Sequence, residues 1–284
     1  MVDVEQVTPS VAGHGEGPVW CPADQRLRWV DMLAGDVLAL DPATGTITRR
    51  HVAPVVAALR PRSAGGLVVA VERGFALLGD DSVELLPEVW SDPSIRMNDG
   101  ACDPLGRFYC GSMAYDAAPG RAALHRLAAD GTVETVLTGL TVSNGLAWTR
   151  DGGTAWYVDS ATQRVDAFAF DPATGELRDR RPVVEVPPAV GTPDGLCVDS
   201  GGGAWVALWD GGAVHRYAPD GRLTAVVELP VRRPTACAFG GPDHADLYVT
   251  SSRLGLPDDD RSPAGALFRF RPEVPGFPAH PFAG

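Results

Sequence analysis

Lysine is absent from this chain of 284 residues, and all 24 basic side chains are arginine. That excludes a Schiff-base lysine and a P-loop lysine, because both need an amine. Asparagine is nearly absent as well, occurring only as Asn98 and Asn144. Basic charge is outnumbered by 36 acids, for a formal net charge of −12. An acidic chain without lysine offers polyphosphate no cluster of cations, so no nucleic-acid partner is expected. No run of 18 apolar residues occurs, so no membrane span is expected. The opening M-V-D-V-E-Q-V-T-P-S carries acids where a signal peptide needs a basic region and an apolar stretch. A cytoplasmic location is the expectation. The five cysteines are odd in number and contain no C-x-x-C. They read as small buried apolar residues in a reducing compartment. There is no G-x-S-x-G elbow and no H-E-x-x-H.

Turn-forming residues, by contrast, are plentiful: 33 Gly and 25 Pro, without a Gly-X-Y period. They punctuate a repeat. An apolar run, a turn and a second alternating run recur six times: from Leu27, from Gly66, in R-F-Y-C-G-S-M with A-L-H-R-L-A-A-D-G, from Ala155, from Ala204, and in D-L-Y-V-T-S-S with G-A-L-F-R-F-R-P. Each is a pair of β-rich runs across a turn. A further short run precedes each unit, starting at Glu16, Val55, Asn98, Asn144, Asp194 and Thr235. These starts lie 39, 43, 46, 50 and 41 residues apart. A period in the forties with three or four short strands is that of a propeller blade. The expected fold is all-β, a six-bladed β-propeller forming one domain over residues 1–284.

Rotation about a propeller axis brings equivalent positions to one point. Four of the six hold a carboxylate or a carboxamide: Glu16, Asn98, Asn144 and Asp194. Crowded carboxylates repel or take up protons unless a cation lies between them. Oxygen donors with no His or Cys suit a hard divalent ion such as Ca²⁺, Mg²⁺ or Mn²⁺. The competing reading is that Asn-Gly and Asp-Gly are merely turn dipeptides. His14 lies two residues before Glu16 and reads as a polar neighbour.

At these residues the chain resembles a known family. G-E-G-P-V-W, R-M-N-D-G-A-C-D-P-L-G-R, S-N-G-L-A-W, P-D-G-L-C-V-D, R-P-T-A-C-A-F-G-G-P-D and L-Y-V-T-S occur in that order, from about Gly13 to about Arg271. The ordered set is similar to senescence marker protein (regucalcin), gluconolactonase and luciferin-regenerating enzyme, a family of six-bladed propellers. The resemblance implies one divalent metal held by Glu16, Asn144 and Asp194. It implies substrate contacts from Arg96 and Asn98, so Asn98 moves from ligand to substrate residue. It also points to Asp116 in G-S-M-A-Y-D, beside Tyr115, where some members carry an acid. Asp in place of Glu is shorter by one methylene.

The implied activity is hydrolysis of a small-molecule sugar lactone to an aldonic acid. A metal with three protein ligands leaves room for a carbonyl and for water. Asp194 is the candidate general base. Arg96 and Asn98 would hydrogen-bond sugar hydroxyls. Such a site accepts Ca²⁺, Zn²⁺, Mn²⁺, Mg²⁺ or Fe²⁺. Two other readings compete: an esterase or organophosphate hydrolase using the same metal site, and a non-catalytic calcium-binding or scaffold propeller. Asp258 to Asp260 lack EF-hand spacing and read as solvent-facing, within a long connection, Ser251 to Pro263, that could cover a channel mouth. Arg232 and Arg233 read as a solvated pair.

Overall fold

The computed structural model describes residues 3–257 and 259–284. Twenty-four strands, numbered β1 to β24 along the chain, form six antiparallel sheets of four. The six sheets are the blades of a β-propeller, and the described residues contain no α-helix, only two single-turn 3₁₀ segments. Among the described residues no helix is long and apolar enough to cross a membrane.

The innermost strands are β2 (Gly15–Cys21), β6 (Val56–Pro61), β10 (Ile95–Cys102), β14 (Ser143–Trp148), β18 (Thr192–Val198) and β22 (Pro234–Gly240). Each packs against the inner strand of the next blade, and β22 closes the ring on β2. Burial falls from the axis outward. Every residue of β2 is buried, whereas β5 (Thr46–His51) is largely exposed. The outermost strand β17 (Glu176–Glu185) carries three Arg and a Pro, which protect a sheet edge from further pairing.

The repeated D-P-A-T-G closes two blades in the same way. The Asp41 carboxylate accepts the Ala43 N–H at 2.9 Å and Asp171 accepts that of Ala173 at 3.0 Å, while Gly45 and Gly175 take left-handed φ of 71° and 75°. The sixth blade is completed from the other end of the chain. β1 (Glu5–Gln6) pairs with β24 (Phe268–Phe270), and Glu5 forms an ion pair with Arg269 across that seam. The six-fold repeat gave no sign of this closure, because β1 is two residues long and carries none of the repeat's pattern.

Candidate active site

All six inner strands shift register partway along. In β14 the break falls between Ser143 and Leu146, and in β18 between Pro193 and Leu196, so Asn144 and Asp194 lie within bulges. A bulge re-aims side chains that a regular pleat would alternate. Asn-Gly and Asp-Gly are therefore not turns here. Their glycines serve close approach. A Cβ on Gly145 would lie 2.7 Å from the Asp194 carbonyl oxygen, and one on Gly195 would lie 2.5 Å from the Ala236 Cβ.

Glu16, Asn98, Asn144 and Asp194 line one cavity of about 250 Å³ at one end of the channel, together with Arg96 and His14. At the two remaining blade positions, Thr235 is turned into structure, donating to the Gly15 carbonyl at 2.6 Å, and Val55 packs in the core. Glu16 and Asp194 are 5 % and 6 % exposed. Burial pushes both carboxyls well above the usual range, and repulsion between neighbouring acids adds to it: Asp194 and Asp99 act on Glu16, and Asp99 acts on Asp194. The Asn144 amide donates to Ser160 Oγ at 3.0 Å, while its Oδ1 is buried with no partner. Two buried carboxylates beside an orphaned amide oxygen fit a hard divalent cation, which would satisfy all three. Among the described residues no three His, Cys, Asp or Glu side chains gather as a metal-holding group. This donor set owes its third oxygen to an amide.

Arg96 is buried, and its Nη1 donates to Asn98 Oδ1 at 2.8 Å, to the Met97 carbonyl at 2.9 Å and to Met32 Sδ at 3.1 Å. Those partners are uncharged. Its guanidinium lies 5.8 Å from the Tyr115 ring centroid. Asn98 also donates to the Ser143 carbonyl at 3.0 Å, so its amide oxygen and nitrogen are both engaged within the protein. Asp116 is not brought to the cavity. It sits in an exposed turn and accepts the Ala118 N–H at 3.0 Å. With one methylene less than Glu, its carboxylate satisfies its own turn.

Several residues that matter here escaped the reading of motifs. Asp99, next to Asn98, is buried, and burial raises its carboxyl. Asp31 accepts the backbone N–H groups of Gly13 and His14 at 3.0 and 2.9 Å, and Asp159 accepts those of Thr141 and Val142 at 3.1 and 2.9 Å. These matched braces fix the chain just before Glu16 and just before Asn144. Their sequence signal was the Val-Asp that ends the first run in the first and fourth repeats. His14 bonds Ser252 Oγ through Nδ1 at 2.8 Å, with Nε2 3.9 Å from Glu16. Burial, then Arg96, lowers its pKa to about 3, so the ring is neutral. Trp209 lines the cavity, edge-on to His14 at 5.9 Å.

The Arg232–Arg233 pair divides. Arg232 is exposed, but Arg233 lies 4.9 Å from the Trp209 ring centroid and bonds Asp210 at 2.7 Å, so it supports the cavity rather than facing solvent. The long connection after Ser251 reaches the rim through Leu254. Asp258 lies outside the described residues. Asp259 is exposed, and Asp260 accepts the Ser262 N–H at 2.9 Å.

The family model described as an SMP-30/gluconolactonase/LRE-like region matches residues 14–253. A pentonolactonase of Haloferax volcanii is 38 % identical over 97 % of this chain and 96 % of its own. The regucalcin of Danio rerio is 36 % identical over 100 % and 99 %. A calcium-binding protein, regucalcin, from Agrobacterium tumefaciens superposes with a TM-score of 0.93 at 30 % identity, covering 100 % of this chain and 97 % of that one. Most of the chain lies within the matched region, from the first blade's inner strand to the sixth blade, and on that extent the protein belongs to the SMP-30/gluconolactonase/LRE-like family.

Proposed function

We propose that this protein is a divalent-metal-dependent lactonase that opens sugar lactones to aldonic acids. The observation that carries this reading is the convergence of Glu16, Asp194 and the unpartnered Asn144 Oδ1 in one cavity beside Arg96 and Asn98. The pentonolactonase relative supports it. Glu16, Asn144 and Asp194 are the residues that would hold the metal. When bound, the ion would polarise the lactone carbonyl and stabilise the charge that develops on its oxygen.

The remaining work falls to side chains. Asp194 takes a proton from the attacking water as the new carbon–oxygen bond forms. It returns that proton to the ring oxygen as the acyl–oxygen bond breaks. Lactone plus water becomes hydroxy acid, with no proton gained or lost at the residue. Arg96 is held by its Nη1 bonds, and among the described residues its Nε and Nη2 have no partner. They are placed to donate to sugar hydroxyls, with Asn98 fixing the guanidinium plane. Trp209 and Leu254 give the cavity apolar wall that limits water.

The test is acid release from a panel of aldonolactones, simple esters and organophosphates, before and after chelation. Loss of aldonolactone turnover on chelation, its return with a divalent ion, and inactivity of Glu16→Ala and Asp194→Ala are expected. Full activity in either variant overturns the proposal.

A further inference from the structure

The channel ends differ in the polar atoms they offer a ligand. Away from Glu16 and Asp194, the C-terminal halves of the inner strands, from Trp20 on β2 to Phe239 on β22, line a second cavity of about 90 Å³. Arg60 is its one charged residue, and the Arg60 Nη1 donates to the Leu59 carbonyl at 2.6 Å. The indole nitrogens of Trp20 and Trp148 are buried away from that space. The acidic end is different. There His14 stands beside Glu16, and one ring nitrogen is engaged while the other is left for the cavity.

Three blades hold His14 in place. Its backbone N–H donates to Asp31 of the first blade at 2.9 Å, and its chain bridges antiparallel to Ser252 of the sixth. Its ring stands edge-on to Trp209 of the fifth, with centroids 5.9 Å apart. The Nδ1 lies 2.8 Å from Ser252 Oγ, and that hydroxyl settles the tautomer. Ser252 is 0 % exposed, and its Oγ already accepts the Leu254 N–H at 3.0 Å. Among the described residues its own proton has one acceptor in reach, the His14 Nδ1. A buried hydroxyl proton without an acceptor is costly, so Ser252 donates and Nδ1 accepts. An imidazole whose Nδ1 accepts is neutral and carries its hydrogen on Nε2. That Nε2 has no hydrogen-bond partner among the described residues and lies 3.9 Å from Glu16 Oε1, on the cavity wall.

We infer that His14 is a specificity-determining residue of the proposed lactonase, a role that rests on that reading: its Nε2–H donates to the hydroxyl on the carbon next to the lactone carbonyl, so α-hydroxy lactones are the preferred substrates. The spacing selects a hydroxyl. At 3.9 Å the Nε2–H and the Glu16 carboxyl oxygen are too far apart to bond each other. An oxygen between them can lie about 2.9 Å from both. A group there must accept from His14 and donate to Glu16. A hydroxyl does both, whereas a ring oxygen only accepts and a methylene does neither. Nearness to the reacting carbon selects which hydroxyl. The carbonyl carbon attacked with help from Asp194 lies beside Glu16, and of all the hydroxyls on a sugar lactone the α-hydroxyl is nearest to that carbon.

The experiment compares kcat/KM for an α-hydroxy aldonolactone and its α-deoxy counterpart in metal-loaded wild type, His14→Phe and His14→Gln. Phe keeps a ring against Trp209 and removes the donor, while Gln returns an N–H to the region of Nε2. Wild type should prefer the hydroxylated lactone by about tenfold or more, because the deoxy substrate leaves polar groups of the site unpaired. In His14→Phe that preference should shrink to about twofold or less, and His14→Gln should restore part of it. Imidazole ¹⁵N shifts should show the wild-type ring protonated on Nε2 and bare on Nδ1. Metal affinity of His14→Phe, by calorimetry, should stay within about threefold of wild type. The wild-type preference and the tautomer remain tests even if His14→Phe fails to fold. No wild-type preference, a preference that survives in His14→Phe, or a ring protonated on Nδ1 would each overturn the inference and leave the lactonase reading standing. A fall in metal affinity large enough to account for the lost turnover would overturn it too, by making the N–H a support for Glu16. Wild type that hydrolyses no aldonolactone would overturn both.

Discussion

The two ends of the channel are built from the same six strands and carry opposite electrostatic problems. At one end Glu16 and Asp194 crowd an orphaned amide oxygen. At the other, Arg60 is the one charged residue of an otherwise uncharged lining. Carboxylates have a way out: they can take up protons, and burial raises the Glu16 and Asp194 carboxyls in that direction. Arginine has none, because its proton does not leave under ordinary conditions. The acidic end should therefore be tuned by pH and by metal, and the basic end by neither. The register break explains why one strand can serve both. Residues in the bulge reach one cavity, and residues past it resume alternation and reach the other.

The largest effect should come from the acidic end. Asp194→Asn keeps the shape and removes the proton acceptor. Lactone turnover should fall by about 10²–10⁴-fold, as for loss of a general base. Turnover within a few-fold of wild type would move the proton chemistry to another residue.

Stability against pH should separate the ends next. In the metal-free protein, Glu16 and Asp194 have native pKa values above their unfolded ones. Below the unfolded values both states are protonated alike. Between the two, the unfolded chain has ionised and the native site has not, so the native state binds more protons and stability falls as pH rises. Chelated protein should thus melt lower at about pH 8 than at about pH 5, with metal restoring the loss by displacing those protons. Calorimetric metal titrations in buffers of differing ionisation enthalpy should detect that proton release. A metal-free protein whose melting temperature rises with pH would contradict the electrostatics described.

A smaller effect is expected from the braces. Asp159→Ala removes the acceptor for two backbone N–H groups ahead of Asn144, without touching the donor set. Metal affinity should drop by about 10–100-fold, the usual cost of losing an orienting group behind a ligand. Asp31→Ala should do the same ahead of Glu16 and cost more stability, because Asp31 also pairs with Arg49 at 3.2 Å. Unchanged affinity in both would mean that the bulges alone position the ligands.

The acidic end was largely legible in the sequence and the basic end was not. Blade count and the converging positions follow from periodicity, since equivalent strands repeat the same residue offset. Glu16, Asn98, Asn144 and Asp194 stand out because polar residues interrupt apolar inner strands. The role of Gly145 and Gly195 could not be read, because Asn-Gly and Asp-Gly signal turns locally, and only the neighbouring blade shows that space is the constraint. Asp116 was misplaced by proximity in the chain: two residues past a buried strand, β11 (Phe108–Ala114), the backbone has already turned outward. Arg60 carried no signal at all, since one arginine among 24 is conspicuous only once the other five inner strands are seen to surround it with apolar side chains.

The smallest effect tests the basic end through its indoles. Trp148 and Trp205 are both 3 % exposed, but Trp205 donates to Asp199 at 3.1 Å whereas Trp148 donates to nothing. Trp205→Phe loses packing and a hydrogen bond to a charged group, and leaves the buried carboxylate short of a donor. It should cost about 2–4 kcal/mol. Trp148→Phe loses similar packing but also removes an unpartnered donor, whose burial costs about 1–3 kcal/mol. The two terms oppose, so the net loss should be about 1 kcal/mol or less, read from urea midpoints at constant m-value. If Trp148→Phe costs as much as Trp205→Phe, the Trp148 indole has a hydrogen-bond partner in the folded protein and the burial penalty assigned to it is absent.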